Sequence, residues 1–266
     1  MGTATDIAEL ATDLAAEGDD LDGIVAGLPD AGWRTQTPAD GWTVAHQIAH
    51  LAWTDQVALL AATDADRFTT EVLRVAATDP TGIVDAVAAD GAAMPPPELL
   101  RDWRQGRSLL IDAVLAVPAG TKLPWFGPPM GAASMLTARL METWAHGQDV
   151  ADALGVARQP TARLRHVAHI GVRTVGFAFA VHEKPAPPEF RVELTGPDGQ
   201  LWTWGPESAT DRVTGPALDF SLLVTQRRHP DDLELAVTGD NAEAWVPIAQ
   251  AFAGLPGSGR TAGQFA

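Results

Sequence analysis

The 266-residue chain contains no cysteine. That excludes a disulfide framework, a thiolate metal site and a cysteine nucleophile, so any metal would be held by His, Asp or Glu. Positive charge is scarce too, with 18 basic against 34 acidic residues and a formal charge of -16. Such a surface repels phosphate backbones and anionic headgroups, so neither nucleic acid nor a membrane is an expected partner. No run of about 18 uncharged apolar residues occurs, as a spanning helix requires. Residues 1–6 show no basic stretch leading into an apolar core, and a soluble cytoplasmic protein is expected. Gly-x-Ser-x-Gly, a phosphate-cradling glycine loop and a dinucleotide fingerprint are all missing, which sets serine catalysis and nucleotide binding aside. Tyrosine is absent and lysine occurs only at Lys122 and Lys184, a mark of GC-rich coding that bears on no chemistry.

What is present begins with helical periodicity. Residues 4–28 carry Ile7, Leu10, Leu14, Leu21 and Leu28 on one face, with a break expected near Gly18. A second helix, capped by Asp40 or Thr43, is expected to run to about Ala62. Shorter helices are predicted over 64–77 and 80–90, and longer ones over 98–117 and 132–154, the last stopped by Gly155. The Pro- and aromatic-rich loop 122–130 suits a pocket wall. One more helix, 161–181, precedes the Pro-rich segment 184–188 and a period-two hairpin, 190–194 with 200–204. A strand at 211–214, a helix at 216–226, a strand at 233–237 and a closing helix at 242–252 complete an α+β class chain. The expected domains are an up-and-down four-helix bundle over 1–158 and a small α+β unit over 159–266.

Glu142 and His146 stand four residues apart, one helical turn, so both side chains leave the same face and can grip one cation. A third ligand must come from elsewhere, and His46 and His50 form a second pair one turn apart in an apolar helix. A competing reading pairs Glu142 with Arg139 on the helix surface and leaves the imidazoles as core residues satisfied by hydrogen bonds. Asp149, one turn beyond His146, can take its ring N–H or form a helix-end salt bridge. Arg227 can bind a carboxylate bidentately or cap a helix end with Arg228. Nine tryptophans are present. Trp53, Trp125 and Trp144 serve packing or a pocket, with Trp125 in a loop where rigid aromatic surface is often used for ligands. His166 and His169 have no nearby carboxylate and read as structural, and His182 and His229 carry no signal.

The segments Trp42-Thr43-Val44 and Ala49-His50-Leu51, followed about ninety residues later by Glu142, His146 and Asp149, resemble the DinB-like bundle proteins. Within them the chain is similar to the branch of mycothiol-dependent maleylpyruvate isomerase. The resemblance extends to Thr214-Gly215-Pro216 and Arg227, in a second domain like a sterol carrier protein. It implies zinc ligands His50, Glu142 and His146 with a fourth position for water or substrate, and mycothiol as a thiol cofactor. Two departures stand out: His46 occupies a position where relatives often carry a carboxylate, and Val224-Thr225 replace aromatics that often precede the Arg.

The resemblance implies an enzyme that binds a divalent metal, zinc first, activates a low-molecular-weight thiol, and adds it to a small electrophilic, carboxylated substrate. His46 and Arg227 are the candidate catalytic residues, and Trp53 and Trp125 the candidate cofactor contacts. A metal-activated-water hydrolase or lyase, and a non-catalytic metal or ligand carrier, are the alternatives. Either a monomer or a homodimer is compatible with the sequence.

Overall fold

The computed structural model describes residues 7–79, 82–254, 257 and 259–265. Residues 4–6 of the first expected helix, Pro80 in the opening turn of another, and Pro256 at the expected end of order lie outside the described residues. The chain divides into two compact units, Met1–Ala157 and Arg158–Ala266.

The first unit is helical. Its helices are α1 (Ile7–Val25), α2 (Asp30–Trp33), α3 (Val44–Thr63), α4 (Ala65–Arg67), α5 (Arg74–Ala76), α6 (Ile83–Ala92), α7 (Pro96–Leu115) and α8 (Ala132–Leu154), with a π-helical stretch Phe68–Leu73 joining α4 to α5. Helix α1 runs unbroken through Gly18, contrary to the expected break. The glycine is used for close approach, since a Cβ there would fall onto the Arg107 guanidinium of α7. Helix α3 packs against α6, α7 and α8, and α1 against α7 and α8. Leu21, Ile48, Leu51, Leu99 and Trp103 meet in the core between them.

Helix α3 begins at Thr43 rather than Asp40, for a local reason. The Val44 N–H donates to the Thr35 carbonyl at 3.0 Å and Thr37 N–H to the Trp42 carbonyl at 2.8 Å, so residues 35–43 double back before the helix starts. His46, three residues in, accepts the Thr43 N–H through Nδ1 at 3.3 Å, in the manner of a capping box. At the far end of the unit, Gly155 takes φ 64° and closes α8 as a left-handed cap.

The second unit holds α9 (Leu164–Arg173), α10 (Val175–Val181), β1 (Arg191–Thr195), β2 (Leu201–Trp204), β3 (Arg212–Pro216), α11 (Ala217–Val224), β4 (Ala236–Thr238) and α12 (Asp240–Trp245). The single helix expected over 161–181 is two. They part at Thr174, whose hydroxyl bonds back to the Ile170 and Gly171 carbonyls at 2.9 and 3.1 Å. The sheet order is β2-β1-β3-β4, with β1 antiparallel to β2 and parallel to β3. Val192 and Leu194 of β1 are buried between half-buried Arg191 and Glu193, the alternation the sequence carries. The closing helix stops at Trp245 and gives way to a 3-10 turn, because Pro247 removes an amide donor and clashes with the preceding turn.

Candidate metal centre

Helix α3 is buried on almost every side, so its polar side chains need partners inside the protein. Four of them, Gln47, His50, Thr54 and Asp55, fall at intervals of three, four and one, on the face turned to α8. They meet Arg139, Glu142 and His146 of α8, themselves three and four apart. Gln47 Oε1 meets His146 Nδ1, and His50 Nε2 lies 3.6 Å from Glu142 Oε2. Arg139 donates to Asp55 Oδ1 at 2.9 Å and to Thr54 Oγ1 at 2.6 Å. The pairings descend one helix as they climb the other, so α3 and α8 are antiparallel and joined by a polar seam of three rungs.

The middle of the seam is the candidate site. His146 Nε2 lies 3.1 Å from Glu142 Oε2, the oxygen that also faces His50. One ligand atom each from His50, Glu142 and His146 lie within 4.8 Å of one another. Among the described residues this is the group of three or more His, Asp or Glu side chains placed to hold a metal ion. Burial pushes the Glu142 carboxyl up. The hydrogen bonds that His146 and His50 donate when a proton is on the nitrogen facing Glu142, with the charges of protonated His146 and of Arg139, outweigh it and hold the group well below the usual carboxylate value. The surface pairing of Glu142 with Arg139 does not form: the guanidinium is spent on Asp55 and Thr54, one turn away.

Aromatic rings wall the site. Trp42 stacks on His146 at 5.9 Å and 18°, and its ring centre is 5.3 Å from that of His50 and 6.4 Å from that of His46. Its indole N–H is anchored on Asp85 of α6 at 2.8 Å. Trp53 stands 6.4 Å from His50 and passes the wall on to Phe126 at 6.0 Å. Trp125 is one ring further out, stacked on Phe68 at 5.9 Å. His46 lies at the mouth of α3, with its Nδ1 taken by the Thr43 amide. Burial moves its pKa below 6.5 against the pull of Asp85. Trp144 is core, 5% exposed.

Arg227 belongs to the second unit, just beyond α11, where its guanidinium donates to the Thr225 carbonyl. His169 accepts the Trp204 indole N–H at 3.2 Å, the structural role expected of it. At Nδ1 of His146 stands the Gln47 amide oxygen. Gln47 and Asp55 are not among the sequence candidates, and Trp42 enters there only within the Trp42-Thr43-Val44 segment of the family resemblance. Their signal is polar residues recurring at helical spacing in an apolar helix, and an indole immediately before its cap.

Comparison with known proteins places this arrangement in context. The family model of the mycothiol maleylpyruvate isomerase N-terminal domain matches residues 14–151, more than half of the chain. A second model, of wyosine base formation, matches residues 186–238, a stretch too short to assign the chain. Two proteins of Mycobacterium tuberculosis, from strains CDC 1551 and H37Rv and both named as uncharacterised, are 59% identical over 249 residues, covering 93% of this chain and 96% of theirs. Crystal structures of the mycothiol-dependent maleylpyruvate isomerase and of a His-to-Ala mutant of it share the fold, with TM-scores of 0.61 and 0.60. At 16% identity, over 87% of this chain and 93% of those, the likeness speaks to architecture alone.

Proposed function

Since the chain belongs to the family of the mycothiol maleylpyruvate isomerase N-terminal domain, we propose that it is a metal-dependent enzyme using a low-molecular-weight thiol of the mycothiol type. Its substrate is a small, electrophilic, carboxylated molecule that the thiol isomerises or adds to. The observation that carries the reading is the convergence of His50, Glu142 and His146 within 4.8 Å. Two imidazoles and one carboxylate are a donor set of catalytic zinc, which keeps a fourth position for a reactant. Glu142 fits the part because it stays anionic far into acid. His50 fits because its Nε2 faces the same Glu142 oxygen, 3.6 Å away, from the opposite helix.

A divalent cation held by His50, Glu142 and His146 would supply Lewis acidity to favour the thiolate form of a bound thiol at neutral pH, in a protein that has no cysteine of its own. The rest falls to this chain's side chains. Trp42 and Trp53 flank His50 and exclude water from that side. His46, whose Nδ1 accepts the Thr43 amide, carries its hydrogen on Nε2 when neutral and is the proposed proton donor to the adduct. For an isomerisation, one C–S bond forms at a carbon–carbon double bond, the resulting single bond rotates, and loss of the same sulfur restores the double bond. No net proton is consumed.

Calorimetry with mycothiol and the zinc-loaded protein tests the reading. It should give saturable binding that is lost in His50→Ala, and maleylpyruvate is the first substrate to assay. Purified wild-type protein that takes up no more zinc than the His50→Ala/Glu142→Ala/His146→Ala variant would overturn it. So would zinc-dependent turnover that ignores added thiol.

A further inference from the structure

Four groups at the upper rung of the seam are linked with one consistent assignment of protons. The Trp42 carbonyl can only accept, and the Thr37 hydroxyl lies 2.8 Å from it as donor. Thr37 Oγ1 then offers a lone pair to Gln47 Nε2 at 2.9 Å. With its NH2 turned to Thr37, the Gln47 amide presents its oxygen to His146 Nδ1. An acceptor there requires the hydrogen to sit on Nδ1. A flipped amide would set two acceptors, Gln47 Oε1 and Thr37 Oγ1, against each other at 2.9 Å, because the Thr37 hydroxyl hydrogen is already given to the Trp42 carbonyl. Gln47 is 0% exposed, so water does not relieve such a mismatch.

We propose that Gln47 is the positioning residue for His146, locking it as the Nδ1–H tautomer so that Nε2 turns a lone pair toward the Glu142 carboxylate. The inference rests on reading His50, Glu142 and His146 as cation ligands, and it adds a residue that touches neither cation nor substrate. Neutral His146 would otherwise divide its hydrogen between two nitrogens. With Nδ1 committed, two acceptors, His146 Nε2 and Glu142 Oε2, face each other at 3.1 Å, an arrangement that is favourable once a positive centre lies between them. The Thr37 hydroxyl, fixed by the turn before α3, is the far anchor that prevents the amide from rotating.

Long-range 15N–1H correlation spectra of histidine-labelled, metal-free protein at about pH 8 read the tautomer directly, with His146 assigned from the His146→Ala spectrum. Wild type should show His146 as Nδ1–H. Gln47→Leu should lose that preference, and Gln47→Glu, which keeps an acceptor in place, should retain it. Zinc affinity measured by chelator competition should fall about 10- to 100-fold in Gln47→Leu and recover in Gln47→Glu. A wild-type His146 found as Nε2–H overturns the proposal even if every variant fails to fold. So does a Gln47→Leu protein with the tautomer unchanged. A wild type with the Nδ1–H tautomer but no zinc uptake refutes the metal reading instead, and the two failures are told apart.

Discussion

Arg139 is 2% exposed, as is the Asp55 side chain it pairs with, and the two sit one turn from the candidate ligands. Replacing Arg139 with Met keeps the volume and removes the charge. Asp55 Oδ1 then loses its guanidinium, and Oδ2 already has no hydrogen-bond partner among the described residues, so the carboxylate is left buried and uncompensated. Removing one member of such a pair costs about 3–5 kcal/mol, whereas replacing both by apolar residues is near neutral or stabilising. Hydrogen exchange followed in peptides from α3 and α8 should therefore show opening favoured by roughly two to nearly four decades in Arg139→Met, at 1.4 kcal/mol per decade. Most of the loss should return in Asp55→Leu/Arg139→Met. Burial pushes the Asp55 carboxyl up from 3.8 against the pull of Arg139, and without Arg139 it rises further. A raised carboxyl pKa disfavours the fold as pH climbs, so the penalty should be small below 3.8 and grow as pH passes through the raised value. An Arg139→Met protein within 1 kcal/mol of wild type at neutral pH, or a double variant no better than the single, would refute the account of the seam as a coupled unit.

The seam also shows where sequence reasoning reached and where it stopped. Glu142 and His146 could be paired because helical spacing puts i and i+4 on one face, whereas the same spacing left His46 and His50 equal and only the family resemblance chose His50. Gln47 was not legible, because a glutamine in an apolar helix has meaning only once the residue facing it across another helix is known. Arg139 was weighed against the nearest acid on its own helix. The competition was decided by Asp55, 84 positions away, which no local pattern names. Helix boundaries behaved similarly. Gly155 acts through its own backbone and was readable. The need for a glycine at position 18 inside an unbroken α1 comes from Arg107 of α7, and the division of 161–181 falls at Thr174, whose hydroxyl competes with the helix ladder. The helix expected over 242–252 ran through Pro247 and is wrong there, since an interior proline has the same effect in any helix.

Three further outcomes follow from the same geometry. Thr43→Val removes the hydroxyl at the cap of α3 and should cost about 0.5–2 kcal/mol, seen as faster exchange confined to the first turn of that helix. Gly171→Ala would set a Cβ 2.8 Å from the Val224 side chain where α9 meets α11, so denaturation should show a loss of about 1–3 kcal/mol in the second unit, relieved by Val224→Ala. His46 should titrate below 6.5 by NMR: burial disfavours its charged form more than Asp85 favours it, and a charge in the first turn of α3 would oppose the helix dipole. The sign of the linkage is fixed by that direction. Between the lowered folded value and 6.5 the unfolded chain binds more protons, so the contribution of His46 to stability is complete above 6.5 and is lost as pH falls through the folded value. Protonation also converts Nδ1 from acceptor to donor and breaks its bond to the Thr43 amide, so exchange at Thr43 should accelerate over the same interval. A His46 pKa at or above 6.5, or a Thr43 amide indifferent to that titration, would mean that the imidazole does not cap the helix.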